Sequence, residues 1–198
     1  LKLLGQRPKR LRPGKYRVFL TPSALNELMD MVSWGGFGLK RHRTAQTPLL
    51  RMVREGVRLH KDITISENHA AGLTPCFTRA GFIKPDKVTL ILAGAYHGCL
   101  ANRRSAREYD TAVNCATEHP QSLEIGGGRL QQNDVFTALD TGLYISNLWY
   151  CNFSDRNHCR ITGMTRFACL WVEQGRAVAP VNVMRFDESI YHILGDRL

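Results

Sequence analysis

No stretch of this 198-residue chain approaches the roughly 18 consecutive apolar residues that cross a bilayer, so a membrane-spanning protein is not expected. The six cysteines (Cys76, Cys99, Cys115, Cys151, Cys159 and Cys169) include no CxxC pair and are too widely spaced for a disulfide framework. Free thiols in a reducing, cytoplasmic compartment are the expectation. None of the seven histidines is followed by glutamate, which removes the usual arrangement of two imidazoles and a general base on one zinc-binding helix. A GxSxG nucleophile elbow is also missing. Gly126-Gly127-Gly128 lacks the Lys-Ser/Thr of a phosphate-cradling loop and reads as a turn. Leu1-Lys2-Leu3-Leu4-Gly5 is too short, and too soon interrupted by Arg7, Lys9, Arg10 and Arg12, to act as an export signal.

What remains is a globular composition, 43% hydrophobic and 22% charged, in a chain long enough to bury a core without disulfide staples. Formal net charge is +10, and the six basic residues between Lys2 and Lys15 have no acid among them. Further basic groups follow at Lys40-Arg41-His42-Arg43, at Arg51, Arg54 and Arg58, and at Arg103-Arg104-Arg107. This balance admits an acidic partner, including nucleic acid. Dispersed Lys and Arg also make ordinary solvated faces, and no zinc finger, RNA-recognition signature or basic heptad region accompanies them.

Residues 1–15 hold Pro8 and Pro13, show no apolar period, and read as an extended basic connector. Tyr16 to Leu20 alternates like a strand. Thr21-Pro22 then opens a helix carrying Leu25, Leu28, Met29 and Val32 through Trp34 and ending at Gly35-Gly36. Met29 and Trp34 are expected to pack against a sheet. Thr47-Pro48 starts a second helix with Gly56 at its C-terminal cap. β-structure is expected at Ile63 to Ile65, in a hairpin from Val88 to Leu100 turning at Ala93-Gly94, at Leu143 to Tyr150, and in a hairpin of Phe167 to Glu173 with Arg176 to Val183 about Gln174-Gly175. Asn133 would cap a helix through Leu139, and Asp187-Glu188 would begin a final helical turn to Ile193, acids suiting its positive end. The fold class is therefore α+β, a mostly antiparallel sheet with hairpins and a few packed helices.

Chemistry-bearing groupings are few. Cys151, His158 and Cys159 are the closest set of soft ligands, but adjacent side chains on a strand point to opposite faces, which makes joint ligation by His158 and Cys159 awkward. The polar-aromatic stretch Asn147 to Arg156 leaves a strand and enters a turn. It suits either ligand contact or a structural corner in which Asn, Ser and Asp satisfy the polar tips of Trp149 and Tyr150.

Those residues also carry a resemblance. Gly142-Leu143-Tyr144-Ile145, Asn147-Leu148-Trp149-Tyr150, Ser154-Asp155-Arg156, Thr162-Gly163-Met164-Thr165-Arg166 and Val183-Met184-Arg185-Phe186, with Arg103-Arg104-Ser105-Ala106 upstream, resemble the C-terminal domain of TldD/PmbA proteins. That family combines zinc metallopeptidases with proteins named modulators of DNA gyrase. The resemblance implies a connector over residues 1–15 and the family domain over 16–198, truncated at its C-terminal end. It further implies a cytoplasmic protein concerned with proteolysis of peptides or unfolded segments, working as a homodimer or as a heterodimer with a TldD-type paralogue. In the peptidase subunits an HExxxH motif lies on the first helix; here its positions fall on Met29, Asp30 and Trp34. The chain then resembles the PmbA/TldE branch: no catalytic residue and no metal ligand of its own, with zinc held by a TldD-type partner. Candidate peptide-binding or interface residues are Trp149, Tyr150, Asn152, Phe153 and Arg166. The alternative is a basic nucleic-acid- or gyrase-associated modulator.

Overall fold

A threonine followed by proline pre-forms a helix start, and the computed structural model, which describes residues 2–198, bears this out. After strand β1 (Val18–Leu20), helix α1 spans Pro22–Ser33, with the Ala24 amide donating to Thr21 Oγ1 at 3.2 Å. Short helices α2 (Leu39–Arg43) and α3 (Leu50–Glu55) follow, α3 ending at Gly56 in the left-handed region as its sequence predicts. Strands β2 (Ile65–Asn68), β3 (Lys87–Leu92) and β4 (Ala95–Tyr96) precede α4 (Arg103–Glu108) and β5 (Leu123–Ile125). Next come α5 (Val135–Leu139), β6 (Gly142–Ile145), β7 (Asn147–Asp155), β8 (Arg160–Arg166), β9 (Leu170–Glu173), β10 (Arg176–Pro180) and β11 (Arg185–Ser189). None of the helices among the described residues is long and apolar enough to cross a membrane.

The chain divides into two compact units interleaved in sequence: residues up to Met31 with 129–154 and 161–187, and residues 32–128 with 155–160 and 188–198. In the first unit a four-stranded sheet runs β1-β6-β9-β10. The β9–β10 hairpin turns at Gln174-Gly175, both with positive φ, as expected for that dipeptide. β1 lies parallel to β6, pairing Val18 with Leu143 and Leu20 with Ile145. Gly142 permits that approach, since a Cβ there would overlap the Arg17 carbonyl oxygen, to which the Leu143 amide donates at 2.9 Å. The basic N-terminal segment turns over residues 2–5, where the Gln6 amide donates to the Leu3 carbonyl at 3.1 Å, and is tied to this unit farther on: the Lys9 amide donates to the Pro180 carbonyl at 2.8 Å, while its ammonium meets Glu173 at 2.5 Å and stands 4.8 Å from the Trp171 ring centroid.

The remaining strands form a sheet in the order β11-β8-β7 and, in the second unit, an antiparallel sheet in the order β4-β3-β2-β5. Helix α4 is capped by Asn102, whose side chain accepts from the Arg104 and Ser105 amides at 3.0 Å each. Its Ala106 packs with Leu39 and Ala101. His42 is buried. Its Nε2 donates to the Gly36 carbonyl at 2.6 Å, leaving Nδ1 to accept from the Tyr96 hydroxyl at 3.2 Å, and burial lowers its pKa.

Three local expectations are corrected. Asn133 caps nothing; it sits inside a single 3-10 turn, Gln132–Asp134, that feeds α5. Asp187 and Glu188 lie on strand β11 rather than at a helix start, because β11 joins the sheet edge beside β8, where Thr162 Oγ1 donates to the Phe186 carbonyl at 2.9 Å. Only a kinked turn at His192–Asp196 follows. The expected strand Leu143 to Tyr150 breaks at Ser146 into β6 and β7.

One buried polar knot ties the second unit. Glu67 on β2 is 1% exposed, and its Oε1 accepts from the main-chain amides of Gln121 at 2.8 Å and Ser122 at 3.0 Å and lies 3.3 Å from His69 Nε2. His69 Nδ1 in turn donates to the Pro85 carbonyl at 2.7 Å. The segments around Gln121-Ser122 and around Pro85 are thus tied to the Glu67–His69 stretch, the first through the carboxylate and the second through the imidazole. Glu67→Ala would strand two buried amides and an imidazole nitrogen and should cost ~3–5 kcal/mol, while Glu67→Gln, which keeps an acceptor oxygen, should cost ~1–2 kcal/mol. Urea denaturation measures both. An alanine variant within ~1 kcal/mol of the parent contradicts this role.

Candidate functional site

Strand β7 departs from strict alternation at one residue, and that departure makes the most distinctive surface of the first unit. Leu148 is buried and Cys151 and Phe153 are half-buried, as inward residues of a strand should be, yet Trp149 and Tyr150 are both outward, 49% and 74% exposed. Tyr150 has φ +55, a conformation rare for an aromatic residue, and this bulge-like step places two aromatic side chains in succession on the solvent side. Their ring centroids are 5.9 Å apart. The strand runs on to Asp155 and the expected turn begins only at Arg156, while Trp149 and Tyr150 stand outward and do not form a buried corner.

Arg166, at the end of β8, completes the surface. Its guanidinium carbon lies 4.4 Å from the Trp149 ring centroid and 4.6 Å from that of Phe167, which is 72% exposed and has φ +62. Two bulky residues in the left-handed region within one cluster mark stored backbone strain of about 1–3 kcal/mol each. The strain is held by main-chain anchoring: the Arg166 carbonyl accepts from Ser146 Oγ at 3.1 Å and Cys169 Sγ at 3.2 Å, and the Cys169 amide donates to the Phe167 carbonyl at 3.0 Å.

Of the five residues selected from sequence, Trp149, Tyr150 and Arg166 are brought together. Asn152 is exposed, its carboxamide oxygen accepting from the Phe153 amide at 2.8 Å. Phe167 escaped notice because it reads as the start of an alternating strand; only its left-handed backbone turns the ring outward.

The positions that would hold a metal in the first helix do not converge. Met29 is 5% exposed and packs inward as expected, Asp30 is exposed, and Trp34 is 60% exposed, contrary to the expectation that it packs. Helix α1 ends at Ser33, so Trp34 has left the helical face that buries Met29, and its carbonyl accepts from the Arg156 guanidinium at 2.5 Å. A thioether, an isolated carboxylate and an outward indole do not fit zinc. Among the described residues no three His, Cys, Asp or Glu side chains gather as a metal site.

Other catalytic readings also fail on geometry. His158 and Asp155 form an exposed pair at 2.7 Å, and the His158 hydrogen bond holds the Asp155 carboxyl below its usual range. Asp155 Oδ1 also accepts from the Asn157 and His158 amides, so the carboxylate organises the β7–β8 turn. Ser189 donates to the His158 carbonyl rather than to its ring, so that hydroxyl is not poised against the imidazole as an activated nucleophile. Burial pushes the Cys115 and Cys159 thiols up to about 12 and Cys151 to about 11, and raises Cys99, which keeps these sulfurs protonated near neutral pH. A shallow cleft of about 140 Å³ beside Phe19, Leu130 and Leu139 has Arg17 as its one ionisable lining residue.

The family model described as the PmbA/TldA metallopeptidase C-terminal domain matches residues 13–197. No curated protein sequence matches the chain. Among solved structures, TldE from Thermococcus kodakarensis superposes with a TM-score of 0.76 at 19% identity, over 94% of this chain and 45% of that one. A candidate modulator of DNA gyrase from Thermotoga maritima gives 0.75 at 16% identity, over 95% and 45%. The chain thus spans less than half the length of these structural relatives.

All six cysteines are free, and only Cys76 is exposed. Cys76 should therefore react fastest with Ellman's reagent in the native protein, the half-buried Cys99 and Cys151 more slowly, and the buried Cys115, Cys159 and Cys169 only upon unfolding. More than three thiols reacting without denaturant would contradict the burial described above.

Proposed function

Since the chain belongs to the PmbA/TldD metallopeptidase family as its C-terminal domain, we propose that it is the domain of a PmbA/TldE-type companion subunit, which shapes a peptide-binding cavity for a metal-bearing TldD-type partner. The observation that carries this reading is the family match combined with the loss of ligand chemistry at Met29, Asp30 and Trp34. In this scheme zinc and its activated water belong to the partner. This chain contributes binding and orientation through the anchored cluster of Trp149, Tyr150, Arg166 and Phe167. Aromatic rings and arginine are the side chains that supply most of the energy at protein and peptide interfaces. Peptides or unfolded segments are the substrate class, and the cytoplasm is the proposed compartment.

A nucleic-acid role is not favoured. Several of its basic side chains are engaged within the protein, Lys9 with Glu173 and Arg51 with Glu55 among them.

Light scattering on the full-length protein, alone and mixed with a TldD-type paralogue at micromolar concentration, tests the companion role. A stable complex whose interface buries at least ~1,000 Å² is expected. Elemental analysis should find zinc in the partner and in the complex and not in this protein alone. A monomer under both conditions, or stoichiometric zinc in the isolated protein, overturns the reading.

A further inference from the structure

The Arg166 guanidinium has its two aromatic neighbours and, among the described residues, neither an ion pair nor a hydrogen bond. An arginine stacked on rings is immobilised in its plane, while the N–H donors on its edge stay available; five such donors in a fixed fork match the two oxygens of a carboxylate. Holding the side chain in place beforehand removes much of the entropy cost that an exposed arginine would meet on pairing. Nor is the placement incidental, for the main chain on both sides is pinned: Ser146 Oγ and Cys169 Sγ both donate to the Arg166 carbonyl, and Phe167 occupies a left-handed conformation that presents its ring.

We propose that Arg166 is a carboxylate receptor, taking the free C-terminal carboxylate of a peptide while the exposed rings of Trp149, Tyr150 and Phe167 cover the adjoining apolar side chain. The inference rests on the peptide-binding reading above and deepens it by naming the ligand group. Charge complementarity chooses the occupant. The site offers one uncommitted cation in an apolar frame, on a chain of net charge +10 that attracts anions at long range. A phosphate backbone would call instead for several cations tracking along it, and the cluster contains only one. The aromatic frame supplies contact area, and the guanidinium supplies orientation, so the terminal residue of the peptide would be read and an internal residue would not.

The test uses the full-length protein and a matched pair of probes, acetyl-Ala-Leu-Phe with a free carboxyl end and the same tripeptide as its amide. Binding is followed by tryptophan fluorescence and by calorimetry. The acid should bind at least tenfold more tightly than the amide. Arg166→Gln should abolish that preference, acid and amide then binding alike, and Arg166→Lys, which keeps the charge but loses the fork, should retain only a few-fold preference. Phe167→Ala should weaken both probes together. Acid and amide binding equally to the parent protein, or a full acid preference surviving in Arg166→Gln, would overturn the proposal. A short single-stranded oligonucleotide that displaces the acid probe, with affinity falling steeply in salt, would overturn it in favour of phosphate recognition. A circular-dichroism melt of each variant establishes folding. Should Arg166→Gln not fold, Arg166→Lys against Phe167→Ala gives the same discrimination between charge geometry and ring contact. Failure here leaves the companion role standing if the parent protein still assembles with its TldD-type partner. Loss of assembly with the acid preference intact removes that role and keeps the receptor.

Discussion

The close approach of the Gly142 segment to the main chain of Arg17 is the contact on which the first unit depends. It allows β1 to run parallel to β6, and two further bonds extend the junction, from the Thr21 amide to the Ile145 carbonyl at 3.1 Å and from Thr21 Oγ1 to the Ser146 carbonyl at 2.6 Å. Thr21 also caps α1, so the helix start and the sheet are fixed by one side chain. Ser146 then uses its hydroxyl to hold the Arg166 carbonyl. A glycine without a Cβ is thereby linked, through four residues of strand, to the placement of an arginine flanked by two exposed aromatic rings. Any larger residue at Gly142 would push β1 away and loosen the anchor before it disturbed the surface itself.

Two ionisable groups of the chain, Glu67 and Arg166, illustrate opposite uses of charge. Glu67 is buried, and one of its oxygens, Oε1, meets two amides and an imidazole, while Oε2 is buried with no hydrogen-bond partner among the described residues. Arg166 lies at the surface and spends its charge on nothing internal beyond ring contact. The first arrangement ties the fold together, and the second leaves a guanidinium stacked on rings at the surface. Elsewhere among the described residues, His158 with Asp155 organises the β7–β8 turn, and the Cys115 and Cys159 thiols are buried. The family domain's fold persists in a chain in which, among the described residues, no three His, Cys, Asp or Glu side chains gather as a metal site.

Much was legible in the chain of residues alone, wherever short-range rules act. Thr21-Pro22, Gly56 and Gln174-Gly175 declare a helix start, a helix end and a hairpin turn because each depends on a few neighbouring dihedrals. The family, the α+β class and the absence of a zinc-binding triplet at Met29, Asp30 and Trp34 follow from residue identities. What only the tertiary structure decided is the parallel β1–β6 pair, the strand fate of Asp187 and Glu188, and the exposure of Trp34, Tyr150 and Phe167. The first two arise from partners far apart along the chain, whose pairing outweighs local propensity. The last arises from left-handed backbone at Tyr150 and Phe167 and from the end of α1 at Ser33, where a single residue's conformation reverses the direction of a side chain that periodicity assigns to the interior.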